Sequence, residues 1–205
     1  MIRAGTDSRS EPLALPTITI FDLEYTAWEC SMARHWLVPG EFKEVVQIGA
    51  VRLDADTLTV LDELEILVRP RINPHLSPYF ETLTGITSER VARQGEDFAS
   101  AYGRFAQFAG EGPIAAFGHD ERVLEHNIRL YGMTGLRPLP LFYDLRGWFA
   151  ALGVDPRGMH SCDLGAALGV RFEGRAHNAL DDARGIAAAM SVMAARGHSV
   201  LRPAA

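Results

Sequence analysis

Lysine is almost missing from this chain: Lys43 is the sole lysine, and every other one of the 20 Lys+Arg residues is arginine. Arginine suits phosphate recognition, but the bias runs alongside heavy alanine and glycine use and reads first as a coding preference. Positive charge is also in short supply overall. The net charge of -6 argues against a broad surface that coats nucleic acid, because such surfaces neutralise many phosphates at once. It leaves open an enzyme that grips one strand end. Cysteine is scarce too. Cys30 and Cys162 lie far apart and in no metal-ligand spacing, which excludes a disulfide framework and points to two free thiols in a reducing, cytoplasmic compartment. No apolar run approaches the roughly 18 residues of a membrane span. Residues 1–16 are polar and mixed in charge, with no stretch fit to be a secretion signal.

What remains is an ordinary globular composition, 47% hydrophobic and 22% charged over 205 residues, enough for one α/β domain with a sizeable core. Residues 1–14 lack periodicity and read as a loose tail, followed by a single domain over 15–200. The β-rich run 17–24 has apolar residues at both parities and reads as a central strand covered on both faces. Two more strands are expected at 45–53 and 58–68, with a hairpin link at 54–57. Short helical turns are expected between 73 and 92. An amphipathic helix over 97–109 carries Phe98, Ala101, Tyr102, Phe105 and Phe108, and a short buried strand follows at 113–117. Further helices are expected over 121–131, around 145–152, at 163–168 and over 179–195. A meander followed by alternating helix and strand implies a mixed sheet with helices packed on it.

Three acidic features stand on these elements. In Asp22-Leu23-Glu24, side chains at i and i+2 of a strand share a face, so both carboxylates leave the strand's C-terminal end together, where open α/β sheets bind ligands. Two neighbouring carboxylates repel unless a cation neutralises them, and oxygen ligands suit Mg²⁺ or Mn²⁺; a solvated turn is the bland alternative. Asp120 follows the turn at Gly118 and opens a helix, a position that the helix dipole alone would favour; its neighbours His119 and Glu121 read as solvated or supporting. In His177-Asn178-Ala179-Leu180-Asp181-Asp182, Asn178 is a good N-cap. Asp181 then falls near the third helical position, where it caps amides. Asp182 turns inward beside Ala179, Ala183 and Ile186, and needs a partner there. His177 precedes the helix on a loop, where an imidazole can move.

Taken in order, these pieces resemble the DEDDh 3′→5′ exonucleases, the family of the proofreading subunit of bacterial DNA polymerase III and of RNase T, over residues 17–195. Its first motif, D-x-E, matches Asp22 and Glu24; its second aspartate matches Asp120; its H-x(4)-D motif matches His177 and Asp182. That spacing selects Asp182 over Asp181, which i, i+4 spacing alone would pair with His177. Leu83-Thr84-Gly85-Ile86-Thr87 is similar to the segment that lies beside the terminal nucleotide in the family. The branch of histone-mRNA exonucleases and sporulation-inhibitor-like proteins is the most similar. The resemblance implies an RNase H-like mixed sheet flanked by helices, and two Mg²⁺ or Mn²⁺ ions held by Asp22, Glu24, Asp120 and Asp182. It implies His177 as general base, and Leu23, Tyr25, Thr26, Leu83 and Thr84 around the last nucleotide of a single-stranded RNA or DNA 3′ end. Trp28, Trp36 and Trp148 could stack on bases, with buried or interface roles expected for at least two of them, and the long 27–42 segment could shape a groove. A non-catalytic nucleic-acid binder and a phosphodiesterase for very short oligonucleotides or dinucleotides are the rival expectations.

Overall fold

The structure is a computed structural model that describes residues 16–171 and 173–198; the expected tail over 1–14 and both expected domain limits lie outside that range. Strand β1 (Thr17–Tyr25) is buried from Ile18 through Glu24, as a strand with apolar residues at both parities must be. It sits at the middle of a five-stranded sheet of order β3-β2-β1-β4-β5. β2 (Val45–Asp54) and β3 (Val60–Leu67) run antiparallel to their neighbours, whereas β4 (Ile114–Ala116) and β5 (Phe142–Asp144) run parallel with β1. The expected mixed sheet is therefore present.

Two cores cover the sheet. Ile18 and Ile20 pack with Ala183, Ile186 and Met190 of α7 (Ala179–Ala195) and with Leu145 and Phe149 of α5 (Leu145–Ala151). On the opposite face, Phe21 and Leu23 pack with Phe98, Tyr102 and Phe105 of α3 (Phe98–Ala109) and with Leu124 of α4 (Asp120–Leu130). The α3 stripe is the one expected from its periodicity, and Phe105 is fully buried in it. The remaining helices are α1 (Pro78–Thr84), α2 (Ser88–Gln94) and α6 (Leu164–Leu168), with a 3₁₀ turn at Ser161–Asp163.

Two details differ from the sequence-based expectation, and a third, at Glu44, had no sign in the sequence. β5 was not expected; three partly buried residues on a sheet edge carry no readable alternation. β3 starts two residues late because the Asp54 carboxylate accepts from the Asp56 and Thr57 amides at 3.0 and 2.7 Å and turns the chain, with Leu58 at φ 56°. Glu44, just before β2, is fully buried, and its carboxylate collects the amides of Arg71, Ile72 and Asn73, each at 2.7 Å, and the Tyr131 hydroxyl at 2.6 Å. A buried carboxylate is tolerable when donors surround it, and here it fixes the loop after β3 against α4. Its donors come from distant parts of the chain, so the sequence pattern does not announce them.

The parallel arrangement of β1, β4 and β5 has one consequence for the site: their carboxyl ends lie at the same edge of the sheet, which is where Asp22, Glu24, Asp120 and Asp144 all emerge.

Candidate active site

At that edge a cleft of about 570 Å³ is lined by Asp22, Glu24, Asp120, His177 and Asp182, together with Leu23, Tyr25 and Leu83. Each acidic residue arrives by a different local cause. Asp22 and Glu24 share the β1 face of Ile18 and Ile20, at the point where the core gives out. Asp120 is delivered by Gly118, at φ 138°, which turns the chain from β4 into the first turn of α4.

Asp182 depends on α7. The Asn178 side chain accepts from the Asp181 amide at 3.2 Å and starts the helix. The Gln47 side-chain oxygen Oε1 accepts from the Ala179 amide at 2.9 Å, tying the helix start to β2. Gly49 permits this approach: a Cβ there would lie 2.1 Å from the carbonyl carbon of Ala179. The helix then turns Asp182 inward, 1% exposed, while Asp181 faces out to Arg184 at 2.8 Å and accepts from the Arg175 amide at 2.9 Å. The two adjacent aspartates thus face opposite ways, and the amide Asp181 takes is in the preceding loop rather than in the first turn of the helix.

Glu24, His177 and Asp182 each place one ligand atom within 4.8 Å of the others. The His177 amide donates to Asp182 Oδ2 at 3.1 Å and holds the histidine in a left-handed conformation, φ 60°, a strained state of the kind that clusters at functional sites. The other Asp182 oxygen, Oδ1, is buried with no hydrogen-bond partner among the described residues.

The electrostatics follow from crowding. Burial pushes the Asp22 carboxyl well above the usual carboxylate range, and Asp120, Asp182 and Glu24 push it further; the Ser161 hydroxyl offsets part of this. Burial, then Asp182 and Asp120, raise Glu24 in the same way. Asp120 is raised to about 7 by burial and Glu121, against the opposing pull of Arg146 and Lys43. Asp182 is raised to about 7, chiefly by burial, with the His177 amide opposing. Burial and the neighbouring His160 lower His177, whose ring stands 5.7 Å from that of His160; the imidazole is neutral at pH 7. Crowded oxygen ligands, mutual repulsion and an orphaned buried oxygen are what a divalent cation relieves, so the donor set fits one.

A stability prediction follows with its sign. The folded carboxyls hold protons up to about pH 7 at Asp120 and Asp182, whereas unfolded ones release them near 4. The folded state therefore binds more protons in that window, and stability falls as pH rises from about 5 to 7. Thermal melts in chelator should show the midpoint dropping across this range, and added Mg²⁺ or Mn²⁺ should raise it most at the alkaline end. A midpoint that climbs with pH in chelator would contradict the crowded-site electrostatics.

Thr26 and Thr84, expected at the last nucleotide, do not reach the cleft wall. Both are 2% exposed. The Thr26 hydroxyl donates to the Phe42 carbonyl and accepts from the Glu44 amide at 3.0 Å. The Thr84 hydroxyl donates to the Phe80 carbonyl at 2.9 Å and accepts from the Ile86 amide at 3.0 Å. They shape the segments that carry Tyr25 and Leu83. Trp28 and Trp36 line the cleft, whereas Trp148 packs on the α5–α7 core. His160 and Ser161 also line it; nothing in the residue pattern marked them.

Fold and site together define a carboxylate-lined cleft at the edge of an RNase H-like sheet. The exonuclease family model of the RNase T type matches residues 19–190, and the chain belongs to that family, whose members depend on divalent metal. Among curated proteins, the mouse protein named 3′-5′ exoribonuclease 1 is 25% identical over 187 residues, covering 83% of this chain and 50% of that protein. Its human counterpart is 38% identical over 77 residues, 37% of this chain and 20% of that protein. The chain therefore spans half or less of these relatives. Among solved structures, the nuclease domain of 3′hExo, a DEDDh family member bound to rAMP, superposes with a TM-score of 0.76 at 24% identity, covering 96% of this chain and 98% of that one. Exonuclease I of E. coli in complex with a dA16 oligonucleotide gives 0.66 at 17% identity, covering 88% and 41%. The fold is that of the DEDDh exonucleases. Among the described residues no helix is long and apolar enough to cross a membrane.

Proposed function

We propose that the chain is a Mg²⁺- or Mn²⁺-dependent 3′→5′ exonuclease that removes nucleoside 5′-monophosphates from single-stranded RNA or DNA. The observation that carries this reading is the gathering of four desolvated carboxylates with one neutral histidine in a single cleft. The relatives' names agree with it: an exoribonuclease, and nucleases bound to rAMP and to an oligodeoxynucleotide.

Asp22, Glu24, Asp120 and Asp182 would hold two ions, which when bound supply Lewis-acid stabilisation of the attacking and leaving oxygens. The protein's own contributions are positional. Asp22 and Glu24 are fixed by the central strand, and Asp182 by the α7 start. His177, neutral and beside Glu24 and Asp182, accepts the proton of the attacking water. Leu23, Tyr25 and Leu83 offer apolar surface to the terminal nucleoside without reading the base.

His177→Ala is expected to lower kcat about 10²–10⁴-fold, the range of general-base catalysis, while metal-induced thermal stabilisation persists. Unchanged kcat would remove the proton-transfer role. Chromatography of the products tests which P–O bond is cut: 5′-monophosphates are expected, and 3′-monophosphates would contradict the reading. The net charge of -6 favours one second reading, a phosphodiesterase of very short oligonucleotides; activity that vanishes above a few nucleotides would select it.

A further inference from the structure

Arginines over most of the molecule are already tied to carboxylates: Arg34 to Glu41, Arg52 to Asp62, Arg104 to Glu96, Arg137 to Glu111, Arg184 to Glu63 and Asp181. The cleft wall holds two basic side chains that are not: Arg146, and Lys43, whose ammonium burial lowers from its usual range while Asp120 supports the charge. Among the described residues, neither the Lys43 ammonium nor the Arg146 guanidinium has a carboxylate partner, and both lie close enough to Asp120 to pull its ionisation downward.

Both are held in place by contacts that leave their charge free. The Lys43 ammonium sits 4.2 Å from the Trp36 ring centroid and 5.5 Å from that of Tyr25, and the two rings are 5.6 Å apart. The Trp36 indole N–H donates to the Thr26 carbonyl at 2.9 Å, so the platform is anchored. The Lys43 carbonyl accepts from the Asn127 side-chain Nδ2 at 2.7 Å, which fixes the base of the side chain. Arg146, in the first turn of α5, places its guanidinium 5.2 Å from the Phe117 ring centroid and over Gly118, where a Cβ would be 3.6 Å from Cζ. Asp144 is spoken for by the Arg146 amide at 2.9 Å rather than by its guanidinium. Cation–π contacts order a charged group without neutralising it, so its N–H donors stay open to an anion.

A chain of net charge -6 with four carboxylates in its cleft repels a polyanion. Fixed, unneutralised cations beside those carboxylates offset that repulsion only where the strand must enter. We infer that Lys43 and Arg146 form a two-point clamp that grips backbone phosphates of the substrate strand upstream of the scissile bond. The clamp rests on the exonuclease reading, deepens it by naming what holds the strand, and makes the sole lysine a substrate-binding residue.

The salt dependence of binding tests it. An oligothymidylate of about ten nucleotides, labelled at its 5′ end, is titrated by fluorescence anisotropy over a salt series with Mg²⁺ present. Asp182→Asn serves as the parent protein so that the strand is bound without being cut. For single strands each lost phosphate contact removes about 0.7 from the slope of log K against log salt. Lys43→Met and Arg146→Met should each lower the slope by about 0.7, and the pair by about 1.4, with Lys43→Arg close to the parent. Arg93→Met, a surface cation paired with Glu89 outside the cleft, should leave the slope alone. Slopes unchanged in both single cleft variants would overturn the clamp. So would unchanged slopes with a shift only in the Mg²⁺ concentration that half-stabilises the fold, which would assign both cations to balancing the carboxylates. A wild-type protein that neither binds nor shortens any strand would instead fail the exonuclease reading itself.

Discussion

Asp182→Asn should reduce turnover on the order of 10³-fold or more while leaving the chelator-treated protein at least as stable as wild type. Loss of a metal ligand removes several kcal/mol of transition-state stabilisation, and each 1.36 kcal/mol is a decade in rate. Stability moves the other way. Burial has already pushed the Asp182 carboxyl up to about 7, so the charge is a burden to the metal-free fold and its removal relieves repulsion with Asp22 and Glu24. The asparagine oxygen can still accept from the His177 amide, which now reaches Oδ2 at 3.1 Å. The control is the adjacent residue. Asp181→Asn weakens the contacts to Arg184 and to the Arg175 amide and should change turnover by less than about threefold, since half-exposed pairs contribute little. Kinetics of both variants beside their melts in chelator separate the two aspartates; comparable losses in both, or near-normal turnover in Asp182→Asn, would sink the assignment.

Gly49→Ala is expected to cost about 3 kcal/mol or more, lowering the melting temperature by about 10 °C, and to remove activity with it. The added methyl would sit 2.1 Å from both the Ala179 carbonyl carbon and the Leu180 nitrogen, and both are backbone atoms. No rotamer change relieves such an overlap. Either β2, held between two neighbours, or the start of α7 must move, and α7 is anchored there by Gln47. Displacing the helix start displaces His177 and Asp182 together. Urea denaturation and turnover measured on the same preparation check this. A Gly49→Ala protein of normal stability and activity would show that the close approach is not required.

The legibility of this chain divides along physical lines. Strand β1 was readable because a fully covered strand is apolar at both parities, and α3 because its stripe repeats at helical spacing. That Asp22, Glu24, Asp120, His177 and Asp182 gather in one cleft was foreseeable because they come as particular residue types in a fixed order, and because Asn178 announces where α7 begins. Contacts that join distant segments were not. Gly49 gives no local sign that a helix 130 residues later lies against it; the Gln47–Ala179 hydrogen bond spans a separation of 132. Glu44 and Asn127 read as ordinary polar residues, yet their partners lie up to 87 residues away. The burial of Thr26 and Thr84 was hidden for the same reason: both sit next to residues of the cleft wall, and only the hydrogen bonds to Phe42 and Phe80 show that their hydroxyls are committed. The lone lysine stood out as a scarcity, but the rings beneath it became visible only in three dimensions.

On the proposed reading, the carboxylate cleft cuts nucleic acid from its 3′ end with the help of a divalent ion. Incubating the purified protein with 5′-labelled single-stranded RNA and DNA, with Mn²⁺ and separately with chelator, tests it most directly. A metal-dependent ladder is expected, in which the labelled strand shortens one nucleotide at a time. An intact labelled strand in the presence of Mn²⁺, from protein whose melting temperature that ion raises, would contradict it.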